Sequence, residues 1–284
     1  MFRPARTGWS RGRHRPLQQD GGKMAFFKSL IRAWTAPGAT APPAASGAVD
    51  PDEAQVLPAN SNGAGPPEGV VETRFANGQV GFRGNYLKGQ LHGVQEWFHS
   101  SGQLRERQEY KHDKKDGPWE LFHPNGQLRS RGSFVSDLRN GPFEVHYSNG
   151  QLRSRGSHRN DLREGPYEAY HENGQLQARG EFREGKRSGP WEEFHRNGEL
   201  RLKASYRNDA VDGMLELFYD DGQLQLRENY RDGKRDGSCE SYHPNGQLKS
   251  RGHYRFGVLD GRFETYAGDG QLLEMGEFRN GARQ

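Results

Sequence analysis

Five histidines recur at one position of a repeated phrase, and histidine often binds metals or transfers protons near neutral pH. They are His99, His123, His171, His195 and His243. If each lies two strands from the next in one sheet, neighbouring members are about 9–10 Å apart. Zinc holds its nitrogen ligands at about 2 Å, so the row predicts no metal site, and the sequence predicts no other cofactor. We expect each histidine to flank a turn opposite a glutamine.

A glutamate recurs with the same regularity and could serve as a general acid or base. The residues are Glu96, Glu120, Glu144, Glu168, Glu192, Glu216, Glu240 and Glu264. Catalysis needs one distinctive site rather than eight equivalent ones, so we interpret each glutamate as a contact to neighbouring backbone or to a basic side chain. Cys239 stands where other units have Trp, Phe or Tyr, and we expect it to pack rather than react. The sequence therefore predicts a protein that is not an enzyme.

The elements that carry these residues follow from a strict period. The stretch FHPNGQLRSRG at 122–132 returns with small changes throughout the chain. Its turn glycines are 24 residues apart, at Gly102, Gly126, Gly150, Gly174, Gly198, Gly222, Gly246 and Gly270. Aromatic-rich runs on both sides of Asn-Gly are typical of a β-hairpin. We predict an all-β fold: an elongated, single-layer antiparallel meander of hairpins over 69–284, with about eight full units and a partial first unit.

Two registers are open within each hairpin. A three-residue loop, with a type I turn and a glycine bulge, pairs Phe122 with Leu128 and Trp119 with Arg131. A two-residue type I′ turn instead pairs Glu120 with Arg131 and puts Trp119 beside Leu128. We favour the first, because Phe122, Leu128 and the second aromatic column (position 134 and its equivalents) then share one buried face.

The opposite face is the candidate partner-binding surface, since Trp and Arg are frequent anchors of interfaces. It carries Trp119, Phe143, Tyr167 and Trp191, with Arg131, Arg155, Arg179 and Lys203 across the hairpins. The alternative is that these pairs make cation–π contacts within the chain and only cover the sheet.

Units with the patterns Y-x-x-G, G-x-W and Y-x-N-G resemble MORN repeats in their 24-residue variant. The resemblance covers about residues 69–284. That variant is found in bacterial proteins named as YwqK-family antitoxins of toxin–antitoxin systems. The resemblance implies a scaffold that binds another protein, such as a toxin, or a lipid-associated structural module. The unbroken period itself predicts a monomer.

The N-terminal quarter differs in composition. Residues 1–36 hold eight Lys/Arg and one acid, and 37–68 hold four acids and no base. We expect a basic tail over 1–36 and a disordered Pro/Ala/Gly linker over 37–68. The body at 69–284 is nearly neutral, which argues against a nucleic-acid surface there.

A short amphipathic helix is predicted within the tail, over 24–34. Its apolar face consists of Phe26, Phe27, Leu30, Ile31 and Trp34. This face suits contact with a membrane surface or a partner; the alternative is a frayed terminus. No transmembrane helix is expected. The single cysteine cannot form an internal disulfide and gives no sign of an oxidising compartment, so we expect a cytoplasmic protein, with peripheral membrane contact as the alternative. Translation from Met1 or from Met24 remains an open alternative.

Overall fold

The computed structural model describes residues 68–284, which form one antiparallel sheet without helices in that range. The expected tail 1–36, its 24–34 segment and all but the last residue of the linker 37–68 lie outside these residues. The strands are β1 (Gly69–Arg74), β2 (Val80–Leu87), β3 (Gln90–Phe98), β4 (Leu104–Lys111), β5 (Lys114–Phe122), β6 (Leu128–Val135), β7 (Leu138–Arg139), β8 (Gly141–His146), β9 (Leu152–Arg159), β10 (Leu162–Arg163), β11 (Gly165–Tyr170), β12 (Leu176–Arg183), β13 (Lys186–Phe194), β14 (Leu200–Arg207), β15 (Ala210–Phe218), β16 (Leu224–Arg231), β17 (Lys234–Tyr242), β18 (Leu248–Arg255), β19 (Val258–Leu259), β20 (Gly261–Tyr266), β21 (Leu272–Arg279) and β22 (Ala282–Arg283).

Each strand pairs with its neighbours along the chain. One residue separates each of the short strands β7, β10 and β19 from the strand that follows it. Both strands of such a pair lie against the same earlier strand: β7 and β8 against β6, β10 and β11 against β9, and β19 and β20 against β18. The predicted single open meander of hairpins is therefore confirmed.

The tight turn has the geometry of the favoured three-residue loop. The His123 N–H donates to the Gln127 carbonyl at 2.8 Å, and the Gly126 N–H donates to the His123 carbonyl at 2.8 Å. Asn125 Oδ1 accepts from the Gln127 N–H at 3.1 Å. The eight turn glycines have φ between 78° and 91°, a region that side chains with a Cβ rarely enter. Glycine therefore suits the backbone conformation at each of these turns.

A second bulge, which the sequence analysis did not predict, follows at Arg129. Phe122 pairs with Leu128 as expected, but the register then shifts, so that Glu120 faces Arg131 and Trp119 faces Gly132. The extra residue moves every later side chain of β6 to the other face. The expected Trp119–Arg131 pair is therefore wrong, and so is the expected grouping of Phe122 and Leu128 with Phe134. Trp119 and Phe134 share a face instead, with ring centroids 6.2 Å apart.

The longer turns connect adjacent units. Asp137, for example, has φ 71°. Its N–H donates to the Lys115 carbonyl at 2.8 Å, and its Oδ1 accepts from the Lys115 N–H at 2.8 Å. Gly or Asp takes a positive φ at each equivalent position from 89 to 281, as the sequence analysis predicted.

One face of the sheet, here called the core face, carries the buried apolar residues. They are Phe143, Val145, Tyr167, Ala169, Ala178, Trp191, Leu202, Ala204 and Tyr206. Glycines in the strands leave room for the rings. Tyr167 and Trp191 stack with centroids 6.0 Å apart and planes 11° from parallel, and Gly180 lies between them. The side chains of this single layer thus cover one another.

Candidate interaction surfaces

The opposite face, here called the ladder face, carries a row in which glutamate and a basic residue alternate from strand to strand. Arg107 contacts Glu96 at 3.1 Å and Glu120 at 3.2 Å. Arg155 and Arg179 contact Glu168 at 2.7 Å and Glu192 at 2.6 Å. The expected role of the repeated glutamates, a contact to a basic side chain, is confirmed for these pairs.

At Glu168 these contacts favour the ionised form of the carboxyl. The Tyr170 hydroxyl donates to Glu168 Oε2 at 2.6 Å. Together with the Arg155 guanidinium, this hydrogen bond lowers the pKa of the Glu168 carboxyl below its ordinary value. A carboxylate that already accepts from these two donors is poorly suited to deliver a proton to a substrate.

The structure divides the eight predicted partner-binding residues between the two faces. The aromatic members lie on the core face, where Phe143, Tyr167 and Trp191 are only 7%, 8% and 6% exposed. Trp119 is half-buried beside them. The basic members Arg131, Arg155, Arg179 and Lys203 lie on the ladder face and are exposed. Their role in partner binding stays a prediction, but the eight side chains do not form one surface.

Other cations stack on the core aromatics. The Arg187 guanidinium lies 4.0 Å from the ring centroid of Tyr206 and 5.7 Å from that of Trp191. Arg163 lies 5.1 Å from the ring centroid of Tyr167. Sequence reasoning missed these cations, although each stands two residues after a turn residue with positive φ. That spacing could have identified them, because residues at a fixed distance after each longer turn lie on the same face of the sheet in every unit.

The histidine row connects successive units. The Nε2 atoms of His171, His195 and His243 lie 3.0 Å from the carbonyl oxygens of Phe194, Phe218 and Tyr266. His123 makes the equivalent contact to His146 at 3.2 Å. The backbone N–H of four of the five histidines also donates to the carbonyl of a glutamine across the turn, as expected. The N–H of His195 donates to the carbonyl of Glu199 instead. Within residues 68–284, no cluster of three or more His, Cys, Asp or Glu side chains is arranged to hold a metal ion.

A hollow of about 390 Å³ lies beside Cys239, between β17, β18 and β20. The Glu264 carboxylate in it contacts Arg251 and Arg262 and accepts from the Tyr266 hydroxyl at 2.8 Å. Burial raises the pKa of the Cys239 thiol to about 12, so the thiol is protonated at neutral pH and weakly nucleophilic. This agrees with the expected packing role of Cys239.

A family model identifies the repeat. The model of the MORN repeat variant matches residues 91–112, 115–136, 139–160, 163–184, 187–208, 211–232 and 235–255, more than half of the chain. This chain belongs to the MORN repeat variant family. Each matched range spans one hairpin of the sheet with its tight turn. Membership places the protein among repeat scaffolds.

The other comparisons add no functional argument. A structure of the wild-type TCP10 domain of Danio rerio CPAP in complex with a peptide of Danio rerio STIL matches 74% of this chain and 99% of that chain, at 12% identity. Its TM-score of 0.25 is too low to support an inference. No curated protein matches the sequence. In the described part of the chain no helix is long and apolar enough to cross a membrane.

Proposed function

We propose that this MORN repeat protein is a non-catalytic scaffold that binds another protein along its ladder face. The observation that carries the proposal is the row of Arg131, Arg155, Arg179 and Lys203. The three arginine side chains are 54%, 55% and 57% exposed, and all four stand on paired strands. Alternate strands repeat at about 9–10 Å, so an elongated partner can meet equivalent groups in succession.

The proposal is tested with the full chain carrying Arg155→Ala and Arg179→Ala together. Proteins captured by the wild type are purified, and each is titrated directly against wild type and variant. We expect at least tenfold weaker binding of the true partner, about 1.4 kcal/mol. Arg231→Ala is the control, because Arg231 is 71% exposed and faces Asp236 at 3.6 Å near a longer turn. Equal affinity of folded wild type and double variant would contradict the proposal.

A finer version makes the partner a toxin and the protein its antitoxin, located in the cytoplasm. This version rests on the resemblance described above. It is tested by expressing the adjacent gene with and without this protein. Growth arrest that co-expression relieves supports it, and a neighbouring gene that is harmless when expressed alone contradicts it.

The alternative function is a membrane-associated module held by Phe26, Phe27, Leu30, Ile31 and Trp34. The amphipathic spacing of these residues in the sequence favours it. Full-length protein and its Phe27→Glu/Ile31→Glu variant are sedimented with anionic vesicles. Loss of co-sedimentation in the variant supports the membrane function, and absence of co-sedimentation in the wild type rejects it.

A further inference from the structure

The bulge that follows each tight turn inserts one extra residue, and the identity of that residue changes along the sheet. The row reads Arg105, Arg129, Arg153, Gln177, Arg201, Gln225, Lys249 and Leu273. Basic residues are therefore consecutive only in the first three units. Lys249 stands alone, between a glutamine and a leucine.

Two members of this row differ from the arginines of the ladder face in their surroundings. Arg129 and Arg153 are both exposed. Among residues 68–284 neither has a carboxylate partner, whereas Arg201 of the same row contacts Glu193. The guanidinium of Arg153 lies 5.7 Å from the ring centroid of Tyr147. Because ladder arginines are neutralised by glutamates, this pair offers cationic groups that an acidic ligand can engage without displacing an internal partner.

The segment between the two arginines is held firmly in place. On β8, Val145 is 8% exposed and belongs to the core. Just beyond it, the Tyr147 hydroxyl donates to the Tyr170 carbonyl at 2.8 Å. Arg129 and Arg153 stand on alternate strands, β6 and β9, about 9–10 Å apart at the backbone. An extended chain advances about 3.3 Å per residue, so acidic side chains two or three residues apart can reach both guanidinium groups.

A protein segment suits this site better than a membrane surface does. Membrane contact at the headgroup level usually combines basic groups with exposed apolar side chains. The exposed apolar residues of these units, Val135, Leu138 and Leu162, lie at the edge of the sheet with the longer turns. Arg129 and Arg153 stand next to the tight turns, at the other edge.

We propose that Arg129 and Arg153 form a binding site for an extended acidic segment of a partner protein. This names a partner chemistry for the protein-binding function and rests on that function, though not on the ladder face. The site is separate from the ladder row, because its two guanidinium groups are not neutralised by the repeat.

The test uses the full chain and a fluorescein-labelled octapeptide of alternating Glu and Ser, titrated by fluorescence anisotropy at low and at physiological salt. We expect Arg129→Glu/Arg153→Glu to weaken binding at least tenfold, and Arg153→Glu alone to weaken it several-fold. Lys249→Glu is the matched control: it makes the same charge change in the same row, and binding should stay within twofold of wild type. Circular dichroism confirms that each variant is folded.

Three outcomes overturn the site. They are absence of peptide binding by the wild type, equal losses in Arg153→Glu and Lys249→Glu, and anionic vesicles that bind through Arg129 and Arg153 while the peptide does not. The ladder variant Arg155→Ala/Arg179→Ala should retain peptide binding. If it does so and also retains its purified natural partner, the ladder-face proposal fails while the acidic-segment site stands.

Discussion

Among single residues, the strand glycines of the core face determine where the large rings can lie. A Cβ on Gly180 would stand 2.1 Å from Cε3 of Trp191, well inside contact distance. Trp191 is 6% exposed and is closely surrounded by Tyr167, Phe182 and Tyr206. Its ring therefore has little space into which to move.

We expect Gly180→Ala to lower the free energy of unfolding by about 1–3 kcal/mol through overpacking. Gly268→Ala is the control, since its nearest atom would be Asn245 Nδ2 at 3.9 Å and its φ is not positive. Urea denaturation of both variants measures the difference. Equal midpoints for the two variants would show that the Trp191 ring is free to shift.

His158 gives the core face a dependence on pH. Burial, with help from Arg139 and Arg163, lowers the pKa of His158 from 6.5 to about 4, against an opposing effect of Asp161. Between these values the unfolded chain binds a proton that the folded chain does not. The contribution of this residue to stability is therefore complete above about pH 6.5 and is lost as the pH falls toward 4.

His158→Phe removes this titration and restores the residue type found at Phe134 and Phe182. We measure the difference in unfolding free energy between the variant and the wild type. We expect this difference to favour the variant more at pH 5 than at pH 7.5. Denaturant curves at the two pH values measure the change, and carboxylates that titrate in both proteins cancel in the comparison. Parallel pH profiles would mean that His158 is protonated alike in the folded and unfolded chains.

At the scale of elements, most tight turns are connected to the next by one asparagine. Asn125 Oδ1 accepts from the Gln127 N–H at 3.1 Å, and Asn125 Nδ2 donates to the Ser148 carbonyl at 2.7 Å. The first bond shapes the turn and the second joins it to the following unit. Asp221 keeps only the first kind of bond, with Gln223 at 2.9 Å.

We expect Asn125→Ala to cost about 1–2 kcal/mol of stability and Asn125→Asp about half as much, at about 1 kcal/mol per hydrogen bond. Thermal melts of the two variants supply the measurement. A larger loss of stability in the Asp variant than in the Ala variant would contradict the assignment of one hydrogen bond to the turn and the other to the connection between units.

The elements also show what the sequence could predict. The three-residue loop and the Phe122–Leu128 pair followed from Asn-Gly and its spacing, because that turn requires a positive φ. The bulge at Arg129 had no such signal, since an extra arginine on a strand exposes its charge in either register. That one residue decides whether Arg131 meets Trp119 or Glu120, so the composition of both faces could not be deduced.

For the whole molecule, the constant period predicts that units can be removed in phase. Deleting residues 115–138, one full period, joins Lys114 to Arg139 and leaves each remaining residue in its row. We expect this variant to fold with a shifted melting temperature, because repeat stability is approximately a sum over units and their neighbours. Circular dichroism and amide exchange report the outcome.

Deleting residues 115–126 instead removes half a period and is the matched control. It removes nearly all of β5 together with its tight turn and joins Lys114 to Gln127, so Arg107 loses Glu120 and β4 meets β6 at positions from different rows. We expect this variant to unfold or aggregate. Equal folding of both deletions would show that the period does not control the register.

The pairing of every strand with its chain neighbours bears on how fast the protein folds. Large β-proteins are usually slow, because distant segments must meet before any of their interactions form. Here the ladder pairs join residues 11 or 13 positions apart, as in Arg107 with Glu96 and with Glu120. Hairpins typically close in about 1–10 μs, and each can then serve as the template for the next. This sheet should therefore assemble by nucleation and growth, with a rate closer to that of a helical bundle than of a β-sandwich.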